Sequence, residues 1–392
     1  MAITAMLRKL LVIRATDSMA LTLASMTVAL TMTERGGVDG YARFVVIILV
    51  GTTAGGPLAY LALNVWRIPV FAPLIATVSA GSRIVLVLVL IIAREQSWPL
   101  EVAGLLVAAS SVSLTSMFHS LISVGGGSIQ DRTNLLSATA VGSLAGTLGA
   151  GLVIEWNWWP ALVIMQAVAG AAGFLLVRIY VRAFLRQPQP VPIAVRPRLR
   201  DGLPSWSRMG PIVWRVPVIA GVAFAIGSLV PGVVATSHGA VAGSVAGAAY
   251  LLGAIGSTVL TRVVDIRRPR VGSWFADQRR WFLAATAGSL PWLLLVGPLW
   301  LGMIAVMIAG TILHLIQAGY EQAAAALDVP ERSGPLIVAL ASVAGVASAV
   351  SIAVMPKIVT RIGFVNLVIT VIVIMTTLAL LDRRRARNVA AC

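Results

Sequence analysis

Three ionisable residues stand inside long apolar stretches of this sequence: Asp17 in TDSMALTLASMTVAL, His119 in SLTSMFHSLISV and His314 in GTILHLIQAGY. A carboxylate deprived of water takes up a proton more readily, and imidazole titrates near neutrality without tuning. Such groups are costly in apolar surroundings, so each one is a functional hypothesis by default. Their shared chemistry would be proton exchange. The alternative for Asp17 is a helix-start acid that pairs with Arg14. The alternative for each His is a hydrogen bond to a neighbouring helix. Gln166 and Gln317 could bind a substrate or tie helices together. Arg83 is the remaining embedded charge and reads as a structural pair or a snorkelling cation.

Other chemistries lack their residues. The sequence has no HExxH, no GxxxxGK[ST], no GxSxG and no Cys/His cluster. The one cysteine, Cys392, is the last residue, so no intrachain disulfide can form. No catalytic residue, metal site or cofactor is expected.

The elements that must position these groups follow from composition. Charged residues make up 11% of the 392 residues and hydrophobic residues 58%, and the mean hydropathy is +0.93. A soluble domain of this size could not hide that much apolar surface, which leaves a multi-pass membrane protein. Apolar runs predict spans at 11–32, 42–63, 70–93, 102–123, 135–154, 160–181, 216–236, 240–261, 281–296, 299–319, 335–355 and 362–381. With both termini in the cytoplasm, 24 of the 30 Lys and Arg fall inside and five (Arg35, Arg43, Arg94, Lys357, Arg361) outside, with Arg83 within a span. That bias is the positive-inside pattern, and an odd number of spans would scramble it. The net charge of +16 therefore reflects cytoplasmic loops and lipid contact, and nucleic acid is not expected as a partner.

The chain divides into a first six-span bundle (1–181), a basic Pro/Arg-rich cytoplasmic linker (182–215) and a second six-span bundle with a basic tail (216–392). The tail, LDRRRARN, suits anionic lipid. At an offset of 200 residues, Gly56 meets Gly256, Arg67 meets Arg267, and Asp131-Arg132 meets Glu331-Arg332. Two matches at one offset, in corresponding loops, indicate a duplicated six-helix unit whose copies share one orientation.

With Gly56 and Arg67 after the second span, and Gly256, Asp265, Arg267 and Arg268 after the eighth, the sequence resembles the major facilitator superfamily. Gly142, Gly146, Gly149 and Gly151 resemble that family's Gly-rich fifth helix. Asn64 stands where the family's first loop carries an Asp. RIPVFAPLIATVSAGSRIVLVLVL, with Arg83 inside it, resembles the twelve-span drug–proton antiporter branch of macrolide-efflux-like and siderophore-exporter-like proteins. The resemblance implies an all-α fold of twelve transmembrane helices in two six-helix bundles. It implies a central cavity lined by the first, fourth, seventh and tenth spans, which hold Asp17, His119 and His314. It also implies gating roles for the loop residues just named and for Asp131-Arg132 and Glu331-Arg332.

The resulting expectation is a secondary transporter of the bacterial inner membrane, acting as a monomer by alternating access. It would export an amphiphilic small molecule against protons, with the proton gradient as its energy source. Asp17 would carry the proton, with His119, His314 and Gln317 as partners or substrate contacts. So few cavity charges suit an apolar or weakly cationic substrate better than a polyanion. Uptake of a nutrient, movement of a lipid and a non-transporting scaffold are the alternatives, the last motivated by Asn64.

Overall fold

The computed structural model describes residues 2–65, 68–92, 97–124, 129–185, 206–267, 274–275, 277–296, 298–327 and 330–391. The first half contains α1 (Ala2–Val65), α2 (Ile68–Ile92), α3 (Ser97–Val124), α4 (Ile129–Glu155) and α5 (Trp159–Leu185). The second contains α6 (Trp206–Ile219), α7 (Ala225–Arg267), α8 (Trp281–Ser289), α9 (Leu299–Ala325), α10 (Pro330–Ile362) and α11 (Phe364–Ala391).

Among the described residues, ten stretches are long and apolar enough to cross a membrane. One of them, Arg8–Leu58, has 51 residues, about 76 Å of helix against a hydrocarbon core of about 30 Å. It is not straight. Gly37 leaves helical geometry at φ 60 and ψ −149, a conformation essentially confined to glycine. Beyond it, Gly40 lies against the carbonyl of Met32, a contact that eight residues of straight helix would forbid. The chain therefore reverses at Gly37. Gly239 (φ 88, ψ 171) breaks α7 in the same way, and Gly243 lies beside the Pro231 carbonyl and Ala235.

Several predicted boundaries shift. The segment 281–296 is a nine-residue α-helix followed by 3₁₀ turn at Leu290–Val296, and it is not among the ten. α9 continues to Ala325, six residues past its predicted end. α6 begins at Trp206, so 206–215 is helix where a linker was expected. Arg215 is held there by Asp382 of α11, Nε to Oδ2 at 3.0 Å and Nη2 to Oδ1 at 3.2 Å. Likewise 182–185 ends α5. The rest of the predicted linker lies outside the described residues.

The molecule wears its apolar side chains outward on α2 (Leu74, Ile84, Leu88), α5 (Ile164, Phe174) and α11 (Ile369, Val373). A soluble protein would not expose such continuous faces; lipid covers them. The buried core joins residues of both halves, from Leu23 and Phe44 to Trp281 and Val371. Between the halves, α1 packs on α10 and α4 packs on α7. Thr53 Oγ1 donates to the Ser342 carbonyl at 3.4 Å, and Gly56 lies against Ser342 and the Val338 carbonyl. In the other contact, Ser137 bonds the Thr258 hydroxyl and donates to the Ala254 carbonyl. An offset of 200 carries Thr53 and Gly56 onto Gly253 and Gly256 of α7. The two seam contacts thus involve segments that the offset of 200 relates to one another.

Candidate functional site

A cavity of about 680 Å³ lies at this seam, walled by α1, α3 and α4 from the first half and α6, α9 and α10 from the second. No residue of α2 lines it. Most of the wall is apolar, with Leu21, Met26, Phe44, Ile48 and Ile316 among its residues. The polar groups on it include Arg14, His119, Gln317 and Glu321 and several Ser and Thr hydroxyls.

Small residues bring the wall elements together. Gly142 and Gly146 of α4 lie against the carbonyls of Ala15 and Met19, so α4 and α1 cross at backbone contact. Ala220–Phe224 is a π-turn between α6 and α7. Such a turn frees backbone groups, and the Ala220 carbonyl accepts from Ser348 Oγ of α10 at 3.0 Å. Both residues are on the cavity wall.

Asp17 is 2% exposed and does not line the cavity. Its carboxylate accepts from two guanidiniums. Arg83 Nη2 donates to Oδ1 at 2.5 Å, and Arg14 Nη1 donates to Oδ2 at 3.2 Å. Arg14 and Asp17 are three residues apart and share one helix face; Arg83 arrives from α2. Arg14 also donates to Thr139 (Nε, 2.9 Å) and Thr115 (Nη1, 3.2 Å) and lies over the Phe118 ring at 5.3 Å. Arg83 thus reads as an ion-pair partner rather than a snorkelling cation.

His119 and Gln317 line the cavity and His314 does not. His314 is turned inward, its Nδ1 2.6 Å from the Gly310 carbonyl and its ring 5.3 Å from that of Tyr250. Gln166 donates to the Ala20 carbonyl at 2.7 Å and ties α5 to α1. Arg132 is buried at the start of α4, with Asp131 half-buried beside it. Gly256 packs on Thr311 of α9, inside the second half, whereas Gly56 is at the seam. The backbones of Asn64, Asp265, Arg267, Glu331 and Arg332 are helical, but their side chains lie outside the described residues. Arg67 and Arg268 lie outside them altogether.

The sequence reading missed Glu321. It is 3% exposed on α9. Gln317 Nε2, one turn earlier, donates to Oε1 at 3.1 Å. Oε2 makes no hydrogen bond among the described residues and faces His119 Nδ1, across the seam, at 3.8 Å. Arg14 and Arg132 of the first half are within electrostatic reach of it. The usable signal was the pair Gln317 and Glu321 at i and i+4. Ending the span at 319 put Glu321 in a loop, where an acid asks for no explanation. Arg14, expected from the sequence only as a partner for Asp17, also lines the cavity, which is therefore more charged than expected.

No family model matches the chain, and no curated protein matches it. Solved structures do. A bacterial homologue of the iron transporter ferroportin, outward-facing with soaked iron, superposes with a TM-score of 0.66 at 14% identity, covering 96% of this chain and 98% of that one. The nucleoside transporter NupG gives 0.62 at 11%, covering 97% and 99%. The E. coli fucose:proton symporter FucP gives 0.62 at 12%, covering 96% and 97%; another FucP structure is described as a Major Facilitator Superfamily transporter in the outward conformation. At these identities the shared property is the fold, over nearly the whole chain. The chain has the major facilitator fold and is a multi-pass membrane protein.

Proposed function

We propose that this chain is a proton-coupled secondary transporter of an amphiphilic small molecule, in the bacterial inner membrane, working by alternating access. It is a carrier rather than an enzyme. The ten apolar stretches, the reversal at Gly37 and the short helix at 281–289 together read as twelve crossings in two bundles, both termini cytoplasmic. The cavity sits where the bundles meet, so rocking them about it would expose it to each side in turn. The similar folds belong to proteins named for carrying iron, nucleosides and fucose, which supports transport without naming a substrate.

The observation that carries the reading is Glu321. Its fellow ions are on the other half of the molecule. Motion between the bundles takes His119, Arg132 and Arg14 away from it. A carboxylate left alone in a low-dielectric wall is then neutralised by a proton. In this proposal the proton-carrier role given to Asp17 on sequence grounds passes to Glu321, with His119 and Gln317 as partners. Asp17 holds Arg14 and Arg83. The drug–proton antiporter branch supplies the amphiphilic cargo, which the apolar wall around a few polar groups would accept.

The test is transport in liposomes with a trapped pH dye, using a panel of amphiphilic compounds under an imposed proton gradient. Wild type should show substrate-dependent proton flux. Glu321→Gln should lose that flux while still binding the substrate. Full proton flux in Glu321→Gln would sink the reading.

A further inference from the structure

The first-half wall carries more positive charge than proton coupling needs. One carboxylate, Asp17, is shared by two guanidiniums, Arg14 and Arg83. That cluster is one unit positive. Arg83 is 2% exposed, and its Nε and Nη1 have no hydrogen-bond partner among the described residues. Arg14 is the member that reaches the cavity, and among the described residues its hydrogen bonds use Nε and Nη1. A guanidinium is the side chain best shaped to hold a carboxylate, sulfonate or phosphate. Around it the wall is apolar, with Leu21, Met26, Phe44 and Ile48 close by in the same cavity.

The charge inventory also bears on what travels with what. Among the described residues, the Arg and acidic side chains that line the cavity are Arg14 and Glu321. The sum is zero when Glu321 is ionised and +1 when Glu321 is protonated. An uncompensated charge inside a bilayer is expensive. If the cargo is an anion, the empty carrier with Glu321 ionised and the loaded carrier with Glu321 protonated are both neutral. If the cargo is a cation exchanged for a proton, both carrier forms hold +1.

We infer that the cargo is an amphiphile with an anionic head group seated on Arg14, and that it moves in the same direction as the proton on Glu321. This rests on the transporter reading and deepens it. It replaces the weakly cationic cargo and the exchange of substrate for proton expected from the sequence. The proton comes from water on the side to which the cavity is open, sits on a Glu321 carboxylate oxygen and leaves to water on the other side. Among the described residues, Gln317 on the same helix, His119 of α3, Arg132 of α4 and Arg14 of α1 are the polar and charged groups that interact with Glu321.

The experiment uses two permanently charged probes with one apolar body, naphthalene-2-sulfonate and (naphthylmethyl)trimethylammonium. Binding is measured by calorimetry in nanodiscs and proton movement by a trapped dye in liposomes. The sulfonate should bind about tenfold or more tighter, as a hydrogen bond to a charged group is worth. Its entry should acidify the liposome interior. Arg14→Gln should lose both the preference and the acidification. Arg14→Lys keeps the charge without the fork and should keep the ranking at lower affinity. The wild-type ranking stands even if Arg14→Gln fails to fold. Preference for the ammonium, equal binding, or sulfonate entry with alkalinisation overturns the inference and leaves a transporter. Neither probe binding nor moving overturns the inference, and the transporter reading falls with it if the broader panel also gives no flux.

Discussion

Asp17 and Glu321 are carboxylates of nearly equal burial, 2% and 3% exposed, on two helices that both contribute to the cavity wall. Their surroundings differ in one respect. Asp17 finds both its cations within its own half, one of them three residues away on the same helix. Glu321 has one amide on its own helix and faces His119 across the seam, with Arg132 and Arg14 also on the other half. A rigid-body motion of the halves leaves the first arrangement intact and dismantles the second. In the proposed mechanism burial alone does not mark a coupling group; the ownership of its partners does.

The sharpest way to break this comparison is to neutralise each acid and measure different things. Asp17→Asn leaves the buried guanidinium of Arg83 and the half-buried one of Arg14 without their carboxylate and should cost about 3–5 kcal/mol of stability, as removal of one member of a buried pair does. Thermal unfolding in nanodiscs would show it. Glu321→Gln keeps the shape and an amide oxygen for Gln317, so its unfolding temperature should stay close to wild type while proton flux is lost. Equal thermal losses would mean that both acids are structural.

How much of this was legible in the sequence depends on what each residue's role rests on. The membrane fold was readable because hydropathy and the Lys/Arg bias are properties of long stretches. The expectation of a repeat rests on the single offset shared by Gly56/Gly256 and the two acid–Arg pairs. The partnership of Asp17 with Arg14 was readable from their spacing on one helix. Arg83 was visible as an embedded charge, but its partner lies 66 residues away on another helix, and no local pattern encodes that. Glu321 was lost to a boundary: GYEQAAA reads as the end of a span, whereas α9 stays helical through it because nothing in those residues breaks a helix. His314 shows the converse. Its helix contributes to the cavity wall, but helical phase turns His314 onto Gly310 and Tyr250 and away from the cavity.

An intermediate effect comes from glycines that differ in the same way as the two acids. Gly142 meets a backbone carbonyl of its own half, at Ala15; Gly56 meets Ser342 and the Val338 carbonyl of the other half. A methyl group added at Gly142 has nowhere to go, and Gly142→Ala should destabilise by about 1–3 kcal/mol through overpacking. At Gly56 the halves can part to relieve the clash. Gly56→Ala should therefore leave the unfolding temperature near wild type and slow transport by favouring states in which that seam is open. Loss of stability in both variants alike would remove the distinction between contacts within a half and contacts across it.

The smallest effect tests the seam with one weak bond. Thr53 Oγ1 donates to the Ser342 carbonyl at 3.4 Å, at the long limit of a hydrogen bond, so it contributes about 0.5 kcal/mol at most. Thr53→Val preserves volume and removes it. Because donor and acceptor belong to different halves, the loss falls on the balance between closed and open seam and not on the fold of either half. Half a kilocalorie corresponds to about a twofold change in that balance. In a Cys392→Ser background, Ser25→Cys places a single thiol on the cavity wall. Thr53→Val should raise its rate of reaction with a membrane-impermeant maleimide about twofold, with no change in unfolding temperature. Thr22→Val removes a bond of 2.9 Å to Ser143 that lies wholly within the first half, and it should change stability without changing the labelling rate. A faster label in Thr22→Val than in Thr53→Val would place the moving boundary inside the first half, and the contrast between Asp17 and Glu321 would lose its mechanical basis.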